Sequence, residues 1–239
     1  MLAALRILAM ALFIIFSCVF GLLLCLVRPF HPNNVHTIAC WFGKMSTVIG
    51  VKLVISRHVN SIDAGPAVYV ANHQNNYDLF TLTAAVPQRT VSMGKKSLKW
   101  IPFFGQLYWL SGNILINRSN RTKAVGTLGK SAQKIKSKGL SLWMFPEGTR
   151  SYGKGLLAFK TGAFHTALNA QVPVVPVCMN STSNCIKLNR WDNGTIYIDI
   201  LAPVDLDKEI SAREHAKAIH SQMAQRIAEL DEKVKESNG

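Results

Sequence analysis

His73 and Asp78 have the residue types and the spacing of a catalytic dyad, with four residues between them. They lie in a polar segment that directly follows a short apolar stretch, residues 67–71. If this loop curls back, the carboxylate can hold one imidazole nitrogen and leave the other to act as a base. The alternative is a helix-capping aspartate beside an ordinary loop histidine. Because the sequence has neither a G-x-S-x-G motif nor a cysteine next to a histidine, we expect the base to activate the substrate's own hydroxyl.

A second polar loop follows the apolar stretch at 140–145. It holds a carboxylate, a glycine, a hydroxyl and a guanidinium: Glu147, Gly148, Thr149 and Arg150. Glycine lets the backbone approach a ligand closely, and a guanidinium can bind a phosphate through two hydrogen bonds. The alternative is a polar turn in which Glu147 and Arg150 only pair with each other. Glu147 is the only acid in residues 79–191, and a single acid among sixteen basic residues favours a positioned group.

Two further basic residues are predicted at the ends of strands. Arg118 closes the segment 112–118, and Lys95 lies where a strand at 90–93 gives way to a helix. Taken alone, each could be a solvated strand end. In open α/β sheets, however, ligands bind outside the carboxyl ends of the strands. Basic side chains that meet there would form a site for an anion.

The order of these segments resembles the four motifs of the glycerolipid acyltransferase family. The H-x4-D spacing comes first, then 112–118, then 145–151, and finally the Val/Pro-rich segment 172–176. The resemblance covers roughly residues 65–180 and is strongest to the bacterial members that acylate 1-acyl-glycerol 3-phosphate. It implies that His73 deprotonates the sn-2 hydroxyl of this acceptor and that Asp78 orients His73.

The resemblance also implies the rest of the site and the reaction. The expected phosphate-binding residues are Arg118, Glu147, Gly148, Thr149 and Arg150, with Lys95 as a further contact. The expected acyl donor is acyl-CoA or acyl-carrier protein, the product is phosphatidic acid for phospholipid biosynthesis, and no cofactor or metal is needed. Two positions depart from the wider family, which often has Ser at Asn75 and Asp at Asn117. The second departure removes a carboxylate beside Arg118.

The charge of the chain agrees with anionic partners. Lys and Arg number 27 against 13 Asp and Glu, a formal net charge of +14, and sixteen of the basic residues lie in 79–191. This segment could attract a substrate phosphate, the 3′-phosphate of CoA or an acidic carrier protein. Within the same chemistry, the alternative is an acyltransferase for another acceptor, such as glycerol 3-phosphate or another lysophospholipid. A non-catalytic protein that binds anionic lipids is the rival from another class. Nucleic acid is a weaker candidate, because aromatic residues are not interleaved with the basic ones.

The N-terminal fifty residues are predicted to attach the protein to a membrane. Residues 7–27 contain no charge, and such a helix is about 30 Å long, enough to cross the hydrocarbon core. A signal peptide usually has a shorter apolar region of about 7–15 residues and a small-residue cleavage site, which is missing here. A second, amphipathic helix is expected at 35–50. Whether the first helix spans the bilayer or the pair lies in one leaflet stays open.

Behind this anchor we predict one acyltransferase domain at 51–239, closed by a helix at 210–235. Basic residues after the first helix place the domain on the cytoplasmic side of the inner membrane. Strands alternate with helices, which indicates an α/β fold with a mixed, mostly parallel sheet flanked by helices. The predicted strands are 51–56, 67–71, 90–93, 112–116, 140–145, 174–179 and 195–201. The predicted helices of the domain are 77–85, 97–110, 122–137, 162–170 and 210–235.

Overall fold

The computed structural model of the chain describes residues 1–62, 65–117 and 120–238. Its strands are β1 Lys52–Arg57, β2 Val68–Ala71, β3 Thr90–Lys95, β4 Ile114–Ile116, β5 Ser141–Met144, β6 Val174–Met179 and β7 Thr195–Ile200. Its α-helices are α1 Leu2–Val27, α2 Asn34–Lys44, α3 Val59–Ile62, α4 Phe104–Leu110, α5 Arg121–Lys138, α6 Gly162–Ala170 and α7 Ala212–Asn238. Three short 3-10 helices lie at Asn76–Leu79, Leu82–Ala85 and Lys96–Trp100.

The seven strands form one sheet in the order β1-β7-β6-β2-β5-β3-β4. Neighbouring strands are parallel except for the β6–β7 pair, which is antiparallel. The central strands β2, β5 and β6 are buried along their whole length, as expected for parallel strands covered on both faces. The prediction of a mixed, mostly parallel sheet flanked by helices is confirmed.

Helices cover the two faces of the sheet. In β2, Tyr69 and Ala71 point into a core that also holds residues of α1, α2 and α4. Val68 and Val70 alternate with them and point into a second core, which includes residues of α5, α6 and α7. This alternation follows from the two-residue period of a strand. The helices α1 and α5 therefore lie on opposite faces of the sheet.

The structure corrects the sequence prediction at three places where one helix was expected. The predicted helix at 77–85 is two 3-10 turns, in which the hydroxyls of Thr81 and Thr83 donate to the carbonyls of Tyr77 and Leu79. The predicted helix at 97–110 is broken into a 3-10 turn and α4. Proline at position 102 has no N–H to continue the first turn.

The third correction concerns the segment predicted as one amphipathic helix at 35–50. Its α-helix, α2, ends at Lys44, and turns lead from there to Gly50, whose φ is +73°. The hydroxyl of Thr47 donates to the carbonyl of Lys44 at 2.9 Å, and the amide of Val51 bonds to the carbonyl of Ser46. Polar and β-branched residues here favour these local bonds over a continued helix.

The long apolar helix α1 lies along the domain and exposes one side. Its buried residues are Arg6, Ser17, Cys18, Gly21 and Cys25. Near its start, the Arg6 guanidinium donates to the carbonyls of Leu188 at 3.1 Å and Trp191 at 2.9 Å, and also to that of Arg190. Near its end, Gly21 packs against Leu107 of α4. By length and composition alone, α1 could cross a membrane.

Candidate active site

Four parallel strands deliver the predicted site residues to one edge of the sheet. β2, β5, β3 and β4 are consecutive neighbours in the sheet, so their carboxyl ends meet at the same edge. His73 follows the end of β2, Glu147 follows β5, and Lys95 is the last residue of β3. Arg118 was predicted just beyond the end of β4, and it lies outside the described residues.

His73 and Asp78 are in direct contact. Nδ1 of His73 lies 2.6 Å from Oδ2 of Asp78, the short distance typical of a charge-assisted hydrogen bond. The carboxylate is buried, whereas the imidazole retains 18% of its exposure. The carboxylate assigns the proton of the neutral ring to Nδ1, which leaves Nε2 as the nitrogen that can accept a proton.

Asp78 also caps the 3-10 helix in which it lies. Its Oδ2 accepts hydrogen bonds from the amides of Gln74 at 2.7 Å and Asn75 at 3.2 Å. The side chain of Asn75 completes the capping box by accepting a hydrogen bond from the amide of Tyr77 at 2.8 Å. Asp78 therefore caps this helix and contacts His73 at the same time, so the capping interpretation and the dyad interpretation do not exclude each other. The same cap bends the loop so that His73 and Asp78 meet.

Glu147 joins the second polar loop to the dyad. Its side chain is buried, with one oxygen accepting from the amide of His73 at 2.6 Å and the other from the amide of Leu157 at 3.0 Å. Burial raises the pKa of the Glu147 carboxyl, and the two amide hydrogen bonds partly oppose this rise. The predicted alternative, a side-chain pair between Glu147 and Arg150, is not among the ion pairs of the described residues.

Further bonds fasten the two loops together around the histidine. The amide of Ser151 donates to the carbonyl of His73, and that of Tyr152 to the carbonyl of Gln74, both at 2.9 Å. The imidazole of His73 stacks on the ring of Phe145, with centroids 4.0 Å apart. Backbone pairing and ring stacking thus fix both the position and the tilt of the imidazole.

Sequence reasoning missed one side chain that positions this loop. Gln74 is buried and its Nε2 donates to the carbonyl of Asn180 at 2.7 Å, while its Oε1 accepts from the amide of Thr182 at 2.7 Å. Asn75 also donates to the hydroxyl of Thr182 at 2.9 Å. These bonds tie the dyad loop to the segment after β6. The polar run around His73 was visible in the sequence, but its partner more than a hundred residues away was not.

Three of the predicted phosphate contacts have exposed side chains, whereas Glu147 is buried. Lys95, Thr149 and Arg150 are exposed, and the Arg150 guanidinium lies 3.5 Å from the hydroxyl of Tyr152. Gly148 has a φ of +73°, and a Cβ at this position would lie 2.8 Å from Nζ of Lys160. The positive φ favours glycine at this position, whereas the flexible side chain of Lys160 could move away from an added Cβ.

An apolar cavity of about 170 Å³ lies beside Phe145, whose ring stacks on His73. It is lined by Met93, Ile116, Met144, Phe145, Ala124, Leu128, Ala163, Gly162, Gly148, Pro146 and Lys160. Phe145 is shared between this cavity and the stack with His73, so the cavity begins beside the dyad. Across the parts of the chain that the structure describes, no cluster of His, Cys, Asp or Glu could hold a metal ion.

Comparison with known proteins gives a consistent result. The Acyltransferase family model matches residues 52–180. The chain is 48% identical over 238 residues to the 1-acyl-sn-glycerol-3-phosphate acyltransferase of Escherichia coli strain K12, covering 99% of this chain and 97% of the relative. It is 47% identical to the enzyme of the same name from Haemophilus influenzae, with both chains covered completely.

A solved structure also resembles it. The crystal structure of the 1-acyl-sn-glycerophosphate (LPA) acyltransferase PlsC from Thermotoga maritima aligns with a TM-score of 0.77 and 26% identity. The alignment covers 96% of this chain and 94% of the other. The two chains thus share the sheet and the helices around it. Together with the family match over more than half of the sequence, this shows that the chain belongs to the Acyltransferase family.

Proposed function

We propose that the protein transfers a fatty acyl group from an acyl thioester to the sn-2 hydroxyl of 1-acyl-glycerol 3-phosphate, forming phosphatidic acid. The observation that carries this proposal is the 2.6 Å contact between His73 and Asp78 at the carboxyl edge of the sheet. The names of relatives 47–48% identical over nearly the whole chain support the acceptor. The donor would be acyl-CoA or acyl-carrier protein.

The dyad accounts for the chemistry without a covalent enzyme intermediate. Nε2 of His73 takes the proton of the acceptor hydroxyl while that oxygen attacks the thioester carbonyl. The tetrahedral intermediate then collapses, the new ester forms, and the C–S bond breaks. The imidazolium, stabilised by Asp78, returns its proton to the leaving thiolate. A thioester is already activated, so a general base, worth about 10²–10⁴-fold, together with positioning can suffice.

Glu147 is proposed to position His73 through its bond to the His73 amide. A carboxylate repels a phosphate, and both oxygens of Glu147 already hold backbone amides. Its contribution to phosphate binding is therefore indirect, because it fixes the position of His73 relative to the loop that carries Arg150. Direct contact with the acceptor phosphate is assigned to Arg150, Lys95 and Arg118, whose basic side chains suit an anion.

The backbone also supplies a candidate site for the intermediate's negative oxygen. In the dyad loop, the amides of His73, Gln74 and Asn75 already donate to carboxylates. The amides of Gly148 and Ser151 likewise donate to the carbonyls of Phe145 and His73, so donors for the oxyanion are proposed from the amides of Thr149 and Arg150. Such donors need to be preorganised, and the two bonds between the loops provide a rigid frame.

The apolar cavity beside Phe145 is proposed to take the acyl chain of the donor. Met93, Ile116 and Met144 line it from the sheet, and Ala124 and Leu128 line it from α5. Burying methylene groups is favourable by about 0.8 kcal/mol each. A chain held there would place the thioester carbonyl next to His73.

We further propose that α1 lies in one leaflet of the inner membrane with the catalytic domain facing the cytoplasm. Both ends of α1 contact the domain, through Arg6 near the start and Gly21 towards the end, so the helix cannot extend away from it across a bilayer. α1 contacts α4, and exposed aromatic residues on and just before α4, Trp100, Phe103 and Trp109, add to the apolar surface. Interfacial helices of this kind bury one face at the headgroup boundary.

The test of the activity is acyl transfer by the purified full-length protein in detergent–lipid micelles. Labelled acyl-CoA or acyl-carrier protein is offered with lysophosphatidic acid, glycerol 3-phosphate or lysophosphatidylethanolamine. We expect labelled phosphatidic acid from the first acceptor only, with the label released by phospholipase A2. Preferred use of another acceptor would reassign the substrate, and failure to consume any thioester would favour the non-catalytic lipid-binding alternative.

Labelling tests the membrane arrangement. An Ala4→Cys variant, with Cys40 and Cys185 replaced by Ser, carries an exposed thiol near the start of α1. A membrane-impermeant maleimide should label this thiol in inside-out vesicles and leave it unlabelled in intact spheroplasts. Labelling from the outer side would instead indicate that α1 spans the bilayer.

A further inference from the structure

The charged residues of helix α5 are all basic. Six of its eighteen residues are Lys or Arg and none is acidic. Lys134 and Lys136 are engaged within the protein, with Lys134 donating to the carbonyl of Gly112 at 2.8 Å and Lys136 to the side chain of Gln171 at 2.9 Å. Lys123 and Lys130 are exposed. They are seven residues apart and share one face of the helix.

This basic face is turned away from the apolar surface of α1. α1 and α4 contribute to the core on one face of the sheet, whereas α5 contributes to the core on the other. A membrane that receives α1 therefore lies on the far side of the sheet from α5. The partner of Lys123 and Lys130 must approach from solution.

The inner face of the same helix lines the apolar cavity. Ala124 and Leu128 contact the cavity that begins at Phe145 beside His73. Because β4 runs to the carboxyl edge and α5 returns from it, the first turns of α5 lie near the dyad. A soluble partner bound to Lys123 and Lys130 would thus be placed beside the entrance that its acyl chain must use.

We propose that the exposed face of α5, defined by Lys123 and Lys130, is the docking surface for an acidic acyl-carrier protein. This deepens the proposed function and rests on it. Complementary charge is the argument for the occupant: every charged side chain of α5 is basic, and Lys123 and Lys130 are exposed on the same face. Acyl-CoA, the other donor, would use the same cavity for its acyl chain. Its nucleotide, however, is too small to cover a helix face on which the two lysines lie about 10 Å apart.

The test compares two donors in one charge-reversal variant. Lys123→Glu/Lys130→Glu changes the docking surface, and Lys52→Glu/Lys208→Glu makes the same charge change at two exposed positions, Lys52 lying in β1 at the opposite edge of the sheet. Initial rates with lysophosphatidic acid are measured against acyl-carrier protein and acyl-CoA for the wild type and both variants. Circular dichroism and vesicle binding are recorded for all three.

We expect the first variant to raise the KM for acyl-carrier protein about tenfold or more, with a weaker salt dependence, because charges at an interface mainly set the rate of association. Its KM for acyl-CoA should stay within about twofold of the wild type, and the control variant should leave both donors unchanged. An equal rise in KM for both donors, or no rise for acyl-carrier protein, would overturn the docking surface. Acyl transfer from acyl-CoA by the same variant would leave the proposed function intact. Weaker vesicle binding would show that α5 contacts lipid and would also overturn the docking surface. A protein that transfers from neither donor would instead refute the proposed function.

Discussion

Replacing Glu147 by glutamine separates a positioning role from a direct role in phosphate binding. The two carboxylate oxygens accept from the amides of His73 at 2.6 Å and Leu157 at 3.0 Å. Glutamine keeps the shape but offers one oxygen and one NH2 group, so one of the two buried amides faces a donor. An unpaired buried donor costs about 1–3 kcal/mol. Burial already raises the pKa of the Glu147 carboxyl, so removing its charge offsets part of this cost.

We therefore expect a net loss of about 1–2 kcal/mol in the free energy of unfolding, which lowers Tm by about 2–8 °C for a protein of this size. The larger effect should be on catalysis. If the His73 amide loses its partner and the imidazole shifts by about 1 Å, kcat falls about 10²-fold. The KM for lysophosphatidic acid should change less than about threefold, because the basic residues that face the phosphate are untouched.

Steady-state kinetics over the acceptor concentration, with thermal unfolding in parallel, tests this prediction. Arg150→Ala is the matched comparison in the same loop, and it should raise the acceptor KM with a smaller effect on kcat. A Glu147→Gln enzyme that kept wild-type kcat while its acceptor KM rose would refute the positioning role. It would return Glu147 to the direct phosphate-binding role that the sequence predicted.

Three other outcomes follow from the site and the core. Asp78→Asn removes the charge that stabilises the imidazolium and places an amide group next to the backbone donors of Gln74 and Asn75. The kcat should therefore fall by about 10²-fold or more, and a near-normal kcat would contradict the dyad. Gly148→Ala puts a side chain at a φ of +73° and should lower stability by about 1–2 kcal/mol, and an unchanged Tm would contradict this backbone conformation. Burial raises the pKa of Cys178 to about 12, so at pH 8 only about one thiol in 10⁴ is ionised. Iodoacetamide should therefore leave Cys178 unmodified until the protein is denatured, which peptide mass spectrometry can check.

The sheet was predictable because most of its strands are short apolar runs, several of them rich in β-branched residues, and turn residues separate them. All seven predicted strands exist, and each end is within two residues of its predicted position. The helix bounds of α6 agree at both ends. Helix ends elsewhere were harder, because they depend on local competition: Pro102 breaks one predicted helix, and the hydroxyls of Thr81 and Thr83 divide another.

Contacts within the candidate site were predictable only where both residues lie in the same loop. The spacing of His73 and Asp78 was enough to predict their contact, because both lie in one short loop. The contact between Glu147 and the amide of His73 requires β2 and β5 to be neighbours, which no local pattern reveals. The bonds from Gln74 to Thr182, and from Arg6 to the loop at 188–191, join residues more than a hundred positions apart for the same reason.

The central claim, that His73 is the general base of an acyl transfer, is tested most directly by one measurement. Purified His73→Ala protein, shown by circular dichroism and vesicle binding to be folded and membrane-associated, is given acyl-CoA and lysophosphatidic acid, and the phosphatidic acid formed is compared with that of the wild type. The dyad predicts a loss of about 10²–10⁴-fold in kcat with membrane association intact. Phosphatidic acid formed at the wild-type rate would contradict the assignment of His73 as the base.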